Sequence, residues 1–319
     1  MRALRFDHYG TPGVLRAVDV PEPIPRAGEV KVRVRAASLN PLDWKSCAGH
    51  LRWLPGFRGP PRGLGCDFAG EIVGVGGGAM THYVGERVFG AVHPFVRDGA
   101  LAEFLVVAGE RAATSPADLS HDIAAALPVA GGIALQALMG IAHLTAGHRV
   151  FVNGAAGGVG HLAVQIAKHA GAYVVGSCSA RNVDFVRGLG ADEVIDYAQS
   201  DFTRRGDRFD VVFDAAGMSS FDAARRVLTE TGYYLNTGGN ARAVIGTAIG
   251  ALLARFSSRQ HAVPLAVRLD PASWRHLAGL AHEGALRVHI ERTVTLDEAA
   301  QALAAMTAGH GRGKIVVRP

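Results

Sequence analysis

The stretch Val150-Phe151-Val152-Asn153-Gly154-Ala155-Ala156-Gly157-Gly158-Val159-Gly160 decides the fold. An apolar strand runs straight into a glycine-rich turn, and the turn runs into an amphipathic helix through Val159–Ala170. Glycine is needed where such a chain bends sharply, where backbone approaches a diphosphate, and where helix meets strand. Gly157 and Gly160 fill the second and third of these places, while Ala155 stands where the strict pattern has its first glycine. The N–H groups opening the helix would face the diphosphate. Dinucleotide binding is the expectation. About twenty residues beyond the turn, a site for the unphosphorylated cofactor would carry an acid on the ribose 2′-hydroxyl. Here no acid occurs before Asp184, and Ser177, Ser179 and Arg181 offer donors and a cation suited to a 2′-phosphate. NADP(H) is therefore expected.

Outward from the turn, short apolar runs alternate with helical stretches from about Leu119. Strands are expected at Arg149–Asn153, Tyr173–Ser177, Glu193–Asp196, Phe209–Asp214, Tyr233–Asn236 and Ala262–Val267. Helices are expected around Asn182–Leu189, Ser220–Thr229 and Pro271–Glu283. This alternation means an α/β class with a doubly wound parallel sheet. The first third differs. Val30, Val32 and Val34 alternate with Lys31, Arg33 and Arg35, and further runs at Phe68–Val75, Arg87–Ala91 and Leu101–Val107 are punctuated by Gly and Pro, as in an all-β segment. A strand at Val288–Val294, a helix opened by Thr295 and a strand at Gly313–Val317 return the tail to it. The expected division is thus 1–118 with 285–319, wrapped around 119–284.

Composition agrees with a packed chain. Of 319 residues 49% are hydrophobic and 19% charged, which excludes a disordered chain. The 41 glycines are about twice the average share, pointing to many tight turns. The net charge is +5, with scattered basic residues, so nucleic acid is not expected as the primary partner. Three cysteines without a CxxC pair frame neither a disulfide scaffold nor a four-sulfur zinc site. Residues 123–142 are nearly all apolar, but Pro128 and Gly131-Gly132 interrupt them; residues 243–254 are too few to span a bilayer. No membrane span and no membrane partner are expected, and cytoplasmic placement is.

From end to end the chain resembles the zinc-independent quinone oxidoreductase (zeta-crystallin-like) branch of the medium-chain dehydrogenase/reductase superfamily. The matching segments are Ala37-Ser-Leu-Asn-Pro-Leu-Asp43, Gly65-Cys-Asp-Phe-Ala-Gly70, Gly85-Glu-Arg-Val-Phe89, Gly99-Ala-Leu-Ala-Glu103 and Leu127-Pro-Val-Ala-Gly131. After the glycine turn come Leu189-Gly-Ala-Asp192, Phe209-Asp-Val-Val-Phe-Asp-Ala-Ala-Gly217, Thr237-Gly-Gly239 and Gly313-Lys-Ile-Val316. The resemblance implies a GroES-like β-rich catalytic domain, a Rossmann domain, a nicotinamide cleft between them and a homodimer. It also implies NADPH-dependent reduction of a quinone or an α,β-unsaturated carbonyl, without zinc or flavin.

The cofactor site so implied comprises Gly154, Ala155, Ala156, Gly157, Gly158, Val159, Gly160, Ser177, Ser179, Arg181, Tyr197, Gly217, Thr237, Gly238 and Gly239. Zinc relatives use a Cys, a Gly-His-Glu segment and a later Cys or Asp; here Asn40 and Gly65-Cys66-Asp67 stand at the first two of these places, a poor donor set. Asn40 and Lys45 are the candidate catalytic residues, for positioning and for holding charge on the acceptor oxygen. Trp44, Trp53, Cys66 and Ile133 are the candidate substrate-pocket residues. Ile133 stands where a threonine is usual, and Trp44 with Lys45 replaces the usual aromatics. These departures leave room for an enoyl reductase of one biosynthetic pathway. A non-catalytic NADPH-responsive protein, RNA-binding among the options, is the alternative of a different class.

Overall fold

The computed structural model describes residues 1–319 apart from 78–81, 94, 96–97, 239–245, 248–258, 267 and 310. Strand β1 (Arg2–Phe6) pairs with β2 (Arg16–Asp19) and, farther along the chain, with the short β4 (Arg62–Gly63), forming a three-stranded sheet. The alternating valines lie on β3 (Glu29–Ser38), where Val30, Val32 and Val34 turn inward and are buried. Helix α1 (Pro41–Cys47) follows directly. Next come β5 (Asp67–Val75), β6 (Arg87–Ala91), β7 (Phe104–Ala108) and β8 (Ala112–Thr114). Strand β3 carries β5 on one side and β7 along part of its length, all antiparallel. The apolar run at 123–142 divides into α2 (His121–Ala126), α3 (Pro128–Leu135) and a π-helical turn at Gln136–Ile141.

The second sheet is built from β9 (Arg149–Asn153), α4 (Gly160–His169), β10 (Tyr173–Cys178), α5 (Val183–Gly188) and β11 (Glu193–Asp196). It continues with β12 (Phe209–Asp214), α6 (Phe221–Ala224), β13 (Leu228–Asn236) and β14 (His261–Pro264). Its order is β11-β10-β9-β12-β13-β14, and every pair is parallel. The order reverses between β9 and β12. In doubly wound sheets, ligands bind outside the carboxyl ends of the strands at this reversal. Phe151, Val175, Phe209, Val212 and Tyr234 form its core.

Two expectations change here. The helix expected over Ser220–Thr229 is the single turn α6, because Leu228 already pairs with Phe209 at the start of β13. The strand expected over Ala262–Val267 is β14, and Val267 lies outside the described residues.

The tail supplies α7 (Pro271–His282), β15 (Ile290–Thr295), α8 (Ala299–Met306) and β16 (Lys314–Arg318). Strand β16 pairs with both β15 and β3, completing the seven-stranded sheet that also holds β5, β6, β7 and β8. One compact unit comprises Met1–Gly132, Leu269–Gly284 and Ile290–Pro319, and the other Ile133–Arg268 with Ala285–His289. The division therefore differs from the expected 1–118, 119–284 and 285–319. Helix α7 falls with the β-rich unit because its fully buried Trp274 packs over the Cα of Gly90, where a Cβ would stand 3.0 Å from the indole. Residues 285–289 stay with the parallel sheet because Gln165 on α4 exchanges two hydrogen bonds with the Arg287 backbone, at 2.8 and 2.9 Å. Among the described residues, no helix is long and apolar enough to cross a membrane.

Candidate functional site

In the parallel-sheet unit the glycine turn joins β9 to α4. Gly154 has φ +78°, which favours glycine. Gly160 opens α4 against the turn, and a Cβ there would stand 2.1 Å from the Gly154 carbonyl oxygen. Helix and turn can approach this closely only over glycine. Ala155, at the missing first glycine, is buried, and a Cβ on Gly176 of β10 would stand 2.9 Å from its methyl group. The missing glycine is thus supplied across the sheet. His161 is wholly buried; its Nδ1 lies 2.9 Å from the Gly157 carbonyl and its Nε2 accepts the His289 N–H at 3.3 Å.

Beside the turn, Ser177, Asn153, Asp214 and Asn236 stand in register across β10, β9, β12 and β13. The Ser177 hydroxyl donates to Asn153 Oδ1 at 2.7 Å and accepts the Gly154 N–H at 3.3 Å. Asn153 donates to Asp214 Oδ1 at 2.8 Å. The other Asp214 oxygen accepts from Tyr234 Oη (3.0 Å), Asn236 Nδ2 (3.2 Å) and the Ser219 N–H (2.7 Å). Burial, with the Asp214 carboxylate beside it, raises the Tyr234 phenol far above its ordinary value. Asn153, Asp214 and Asn236 were missed as site residues, although each is a polar residue closing a parallel strand just after an apolar run. Ser177 spends its hydroxyl on the turn and is a brace. Ser179 is half-buried and accepts from Asn182 Nδ2 at 3.4 Å, whereas Arg181 is exposed and Tyr197 is 52% exposed. Gly217 and Gly238 take φ +65° and +75° at the ends of β12 and β13. Thr237 donates to the Ala215 carbonyl at 3.1 Å, and Gly239 lies outside the described residues.

In the β-rich unit, Ser38, Asn40, Asp43, Cys66, Asp67 and Lys314 gather in the interior, every one of them buried. Asp67 Oδ2 accepts from Ser38 Oγ (2.7 Å) and Asn40 Nδ2 (2.8 Å), with the Lys314 ammonium at 3.5 Å. Its Oδ1 accepts the Val129 N–H at 2.9 Å, satisfying an otherwise unpaired donor at the start of α3. Lys314 donates to Asn40 Oδ1 at 2.7 Å and to the Leu39 carbonyl at 3.0 Å. Burial pushes the Lys314 ammonium down, while Asp67 holds it up. Asn40 thus spends both ends of its amide inside the fold. Asp43 accepts the backbone N–H of Asn40 at 2.8 Å and of Gly65 at 2.9 Å, and burial still raises its carboxyl to about 6. Asp43, Ser46, Arg62, Cys66 and His93 line a polar cavity of about 10 Å³, near the space one water needs.

Lys45 lies on α1 with its Nζ 5.7 Å from the Trp44 ring, and burial pushes its ammonium down. Trp44 is half-buried and meets His50 edge-on at 5.5 Å. Cys66 is a buried thiol, raised well above its ordinary value by burial. Trp53, by contrast, is 80% exposed and forms no wall within this unit. Ile133 is half-buried on α3 and falls in the other unit. The zinc position does not fit the metal. The Asn40 amide and the Asp67 oxygens already hold hydrogen-bonding partners, and no imidazole is in the set. Among the described residues, no group of three His, Cys, Asp or Glu side chains could hold an ion.

Residues 26–179 match the family model of the alcohol dehydrogenase GroES-like domain, and residues 189–317 that of a zinc-binding dehydrogenase. A chloroplast envelope quinone oxidoreductase homolog of Arabidopsis thaliana is 36% identical over 330 aligned residues, covering 100% of this chain and 98% of the relative. A 2-methylene-furan-3-one reductase of Solanum lycopersicum is 34% identical, covering 73% of this chain and 61% of the relative. The solved quinone oxidoreductase from Coxiella burnetii superposes with a TM-score of 0.90 at 32% identity, covering 100% of this chain and 99% of that one. A GroES-like β-unit together with a Rossmann sheet and glycine turn defines a two-domain medium-chain oxidoreductase. Within that superfamily, the chain belongs to the quinone oxidoreductase branch.

Proposed function

We propose that the protein is a metal-free, NADPH-dependent reductase of quinones or α,β-unsaturated carbonyls. The observation that carries this is the glycine turn at the strand reversal, set in a chain whose relatives are named for reducing such acceptors. The absence of an acid before Asp184, with Ser179 and the exposed Arg181 at the end of β10, favours the 2′-phosphorylated cofactor. When bound, the reduced nicotinamide supplies a hydride, and the acceptor takes up one proton from water.

The chain's own groups bind, orient and hold charge. The N–H groups of the turn and of α4 receive the diphosphate. The Ser177–Asn153–Asp214–Asn236 row fixes the strand ends that carry the turn. In the β-rich unit, the Lys314–Asp67 pair fixes Asn40 and through it the start of α1. On α1, the partly desolvated Lys45 ammonium is the group offered to the developing negative charge on the acceptor oxygen, where a dry site strengthens the interaction.

The test is oxidation of NADPH by the purified protein against a panel of quinones and enones, with NADH in parallel and a chelator added. Turnover with NADPH at least tenfold faster than with NADH, unchanged by the chelator, is the expected result. Failure to bind NADPH would overturn the reading of the turn. Chelator-sensitive turnover would overturn the metal-free assignment.

A further inference from the structure

The segment from Trp44 to Cys66 contains Lys45, Arg52, Arg58 and Arg62 and no Asp or Glu. Within it the chain makes successive turns, closed by hydrogen bonds from Arg52 N to the Gly49 carbonyl (3.3 Å), Leu54 N to Leu51 (3.0 Å) and Phe57 N to Leu54 (3.1 Å). Phe57 anchors the base of these turns, edge-on to Phe95 at 5.7 Å and beneath the Arg62 guanidinium at 4.7 Å. At the tip, Trp53 is 80% and Leu54 45% exposed, and the Arg52 guanidinium lies 4.7 Å from the Trp53 ring centre. Arg52 and Arg58 are exposed on either side. The carboxylates that act on Arg62 are engaged: Asp98 pairs with Arg5 at 2.6 Å, and Asp43 accepts two backbone N–H groups.

We propose that this Arg52–Arg58 turn docks the protein onto an anionic lipid bilayer, with Trp53 and Leu54 entering the interface and Arg52 and Arg58 meeting headgroup phosphates. An indole with one apolar body and one polar edge suits the headgroup boundary. Each arginine beside an anionic surface adds about fivefold to binding. A second copy of the chain is the poorer occupant, because two such turns would bring like charges together. Single-stranded nucleic acid could stack on Trp53 but has no use for the adjoining Leu54 and Pro55. The inference stands independently of the reductase assignment.

The test is co-sedimentation of the full chain with extruded vesicles, one set of phosphatidylcholine alone and one with roughly 30% phosphatidylglycerol. Saturable binding to the anionic set is expected, at least tenfold tighter than to the neutral set and weakened by salt. The double variant Trp53→Ala, Leu54→Ala and the double variant Arg52→Glu, Arg58→Glu should each lose tenfold or more, with thermal melting unchanged from the parent. Brominated lipid should quench the fluorescence of the parent chain but have little effect on Trp53→Phe. No binding to the anionic vesicles would overturn the proposal, as would binding that survives both double variants. Shielding of Trp53 from acrylamide in a lipid-free dimer would also overturn it, by assigning the turn to a second copy.

Discussion

At Lys314 an amine is held inside a β-rich core, where its charged form is costly unless paired and hydrogen-bonded. Its partners are Asp67, Asn40 and the Leu39 carbonyl. Removing it leaves Asp67 buried without its counter-charge. Lys314→Met should therefore lower stability by about 3–5 kcal/mol, as read by urea denaturation. Asp43 makes a prediction of opposite kind. Its folded carboxyl is raised to about 6 from 3.8, so the folded state holds the proton more tightly than the unfolded chain. Its contribution is most favourable below pH 4 and is lost as pH rises through 6, about 3 kcal/mol in all. The stability difference between the parent and Asp43→Asn should shift against the parent between pH 4.5 and pH 7, and a flat difference would remove this account. Neither residue was legible as part of a buried cluster. Asp43 and Asp67 were visible in their motifs, but Lys314 lies some 270 residues from Asn40, and a hydrogen bond between such distant positions leaves no periodic trace.

Among the elements, the strands and the turn of the parallel sheet were the most legible, because strands buried on both faces read as unbroken apolar runs. The polar residues that end those runs carry the less obvious message. Asp214 accepts from groups on β9 and β13 and from the turn after β12. Asp214→Ala should weaken NADPH binding by tenfold or more while lowering Tm, since Asn153 and Asn236 lose the acceptor that orients them; calorimetric titration with NADPH checks this. Helix α6 was overread because its composition permits helix up to Thr229, yet pairing of Leu228 with Phe209 wins. In such a case tertiary pairing overrides local preference.

At the scale of the molecule, the α/β class and the two-part organisation were legible, whereas the exact division was not. It turns on the packing of Trp274 and on Gln165 meeting Arg287, contacts with no local signature. A fragment of residues 133–268 should accordingly melt broadly, because Gln165 and the His161 ring lose their partners in 285–289. Rejoining 285–289 through a short flexible linker should sharpen the transition, as followed by circular dichroism. If both fragments melt alike, residues 285–289 do not belong to that unit.

Strand β16 has a consequence for the chain as it is made. It sits between β15 and β3 in the sheet, yet it begins 276 residues after β3 ends. Until it emerges from the ribosome, β3 exposes an open edge along Ala37 and Ser38, and Asp67 waits beside an absent lysine. The parallel sheet can close earlier, once residues 285–289 are out. Completion of the β-rich unit thus waits for the far end of the chain, and until then its central strand keeps an edge open to pairing with other strands.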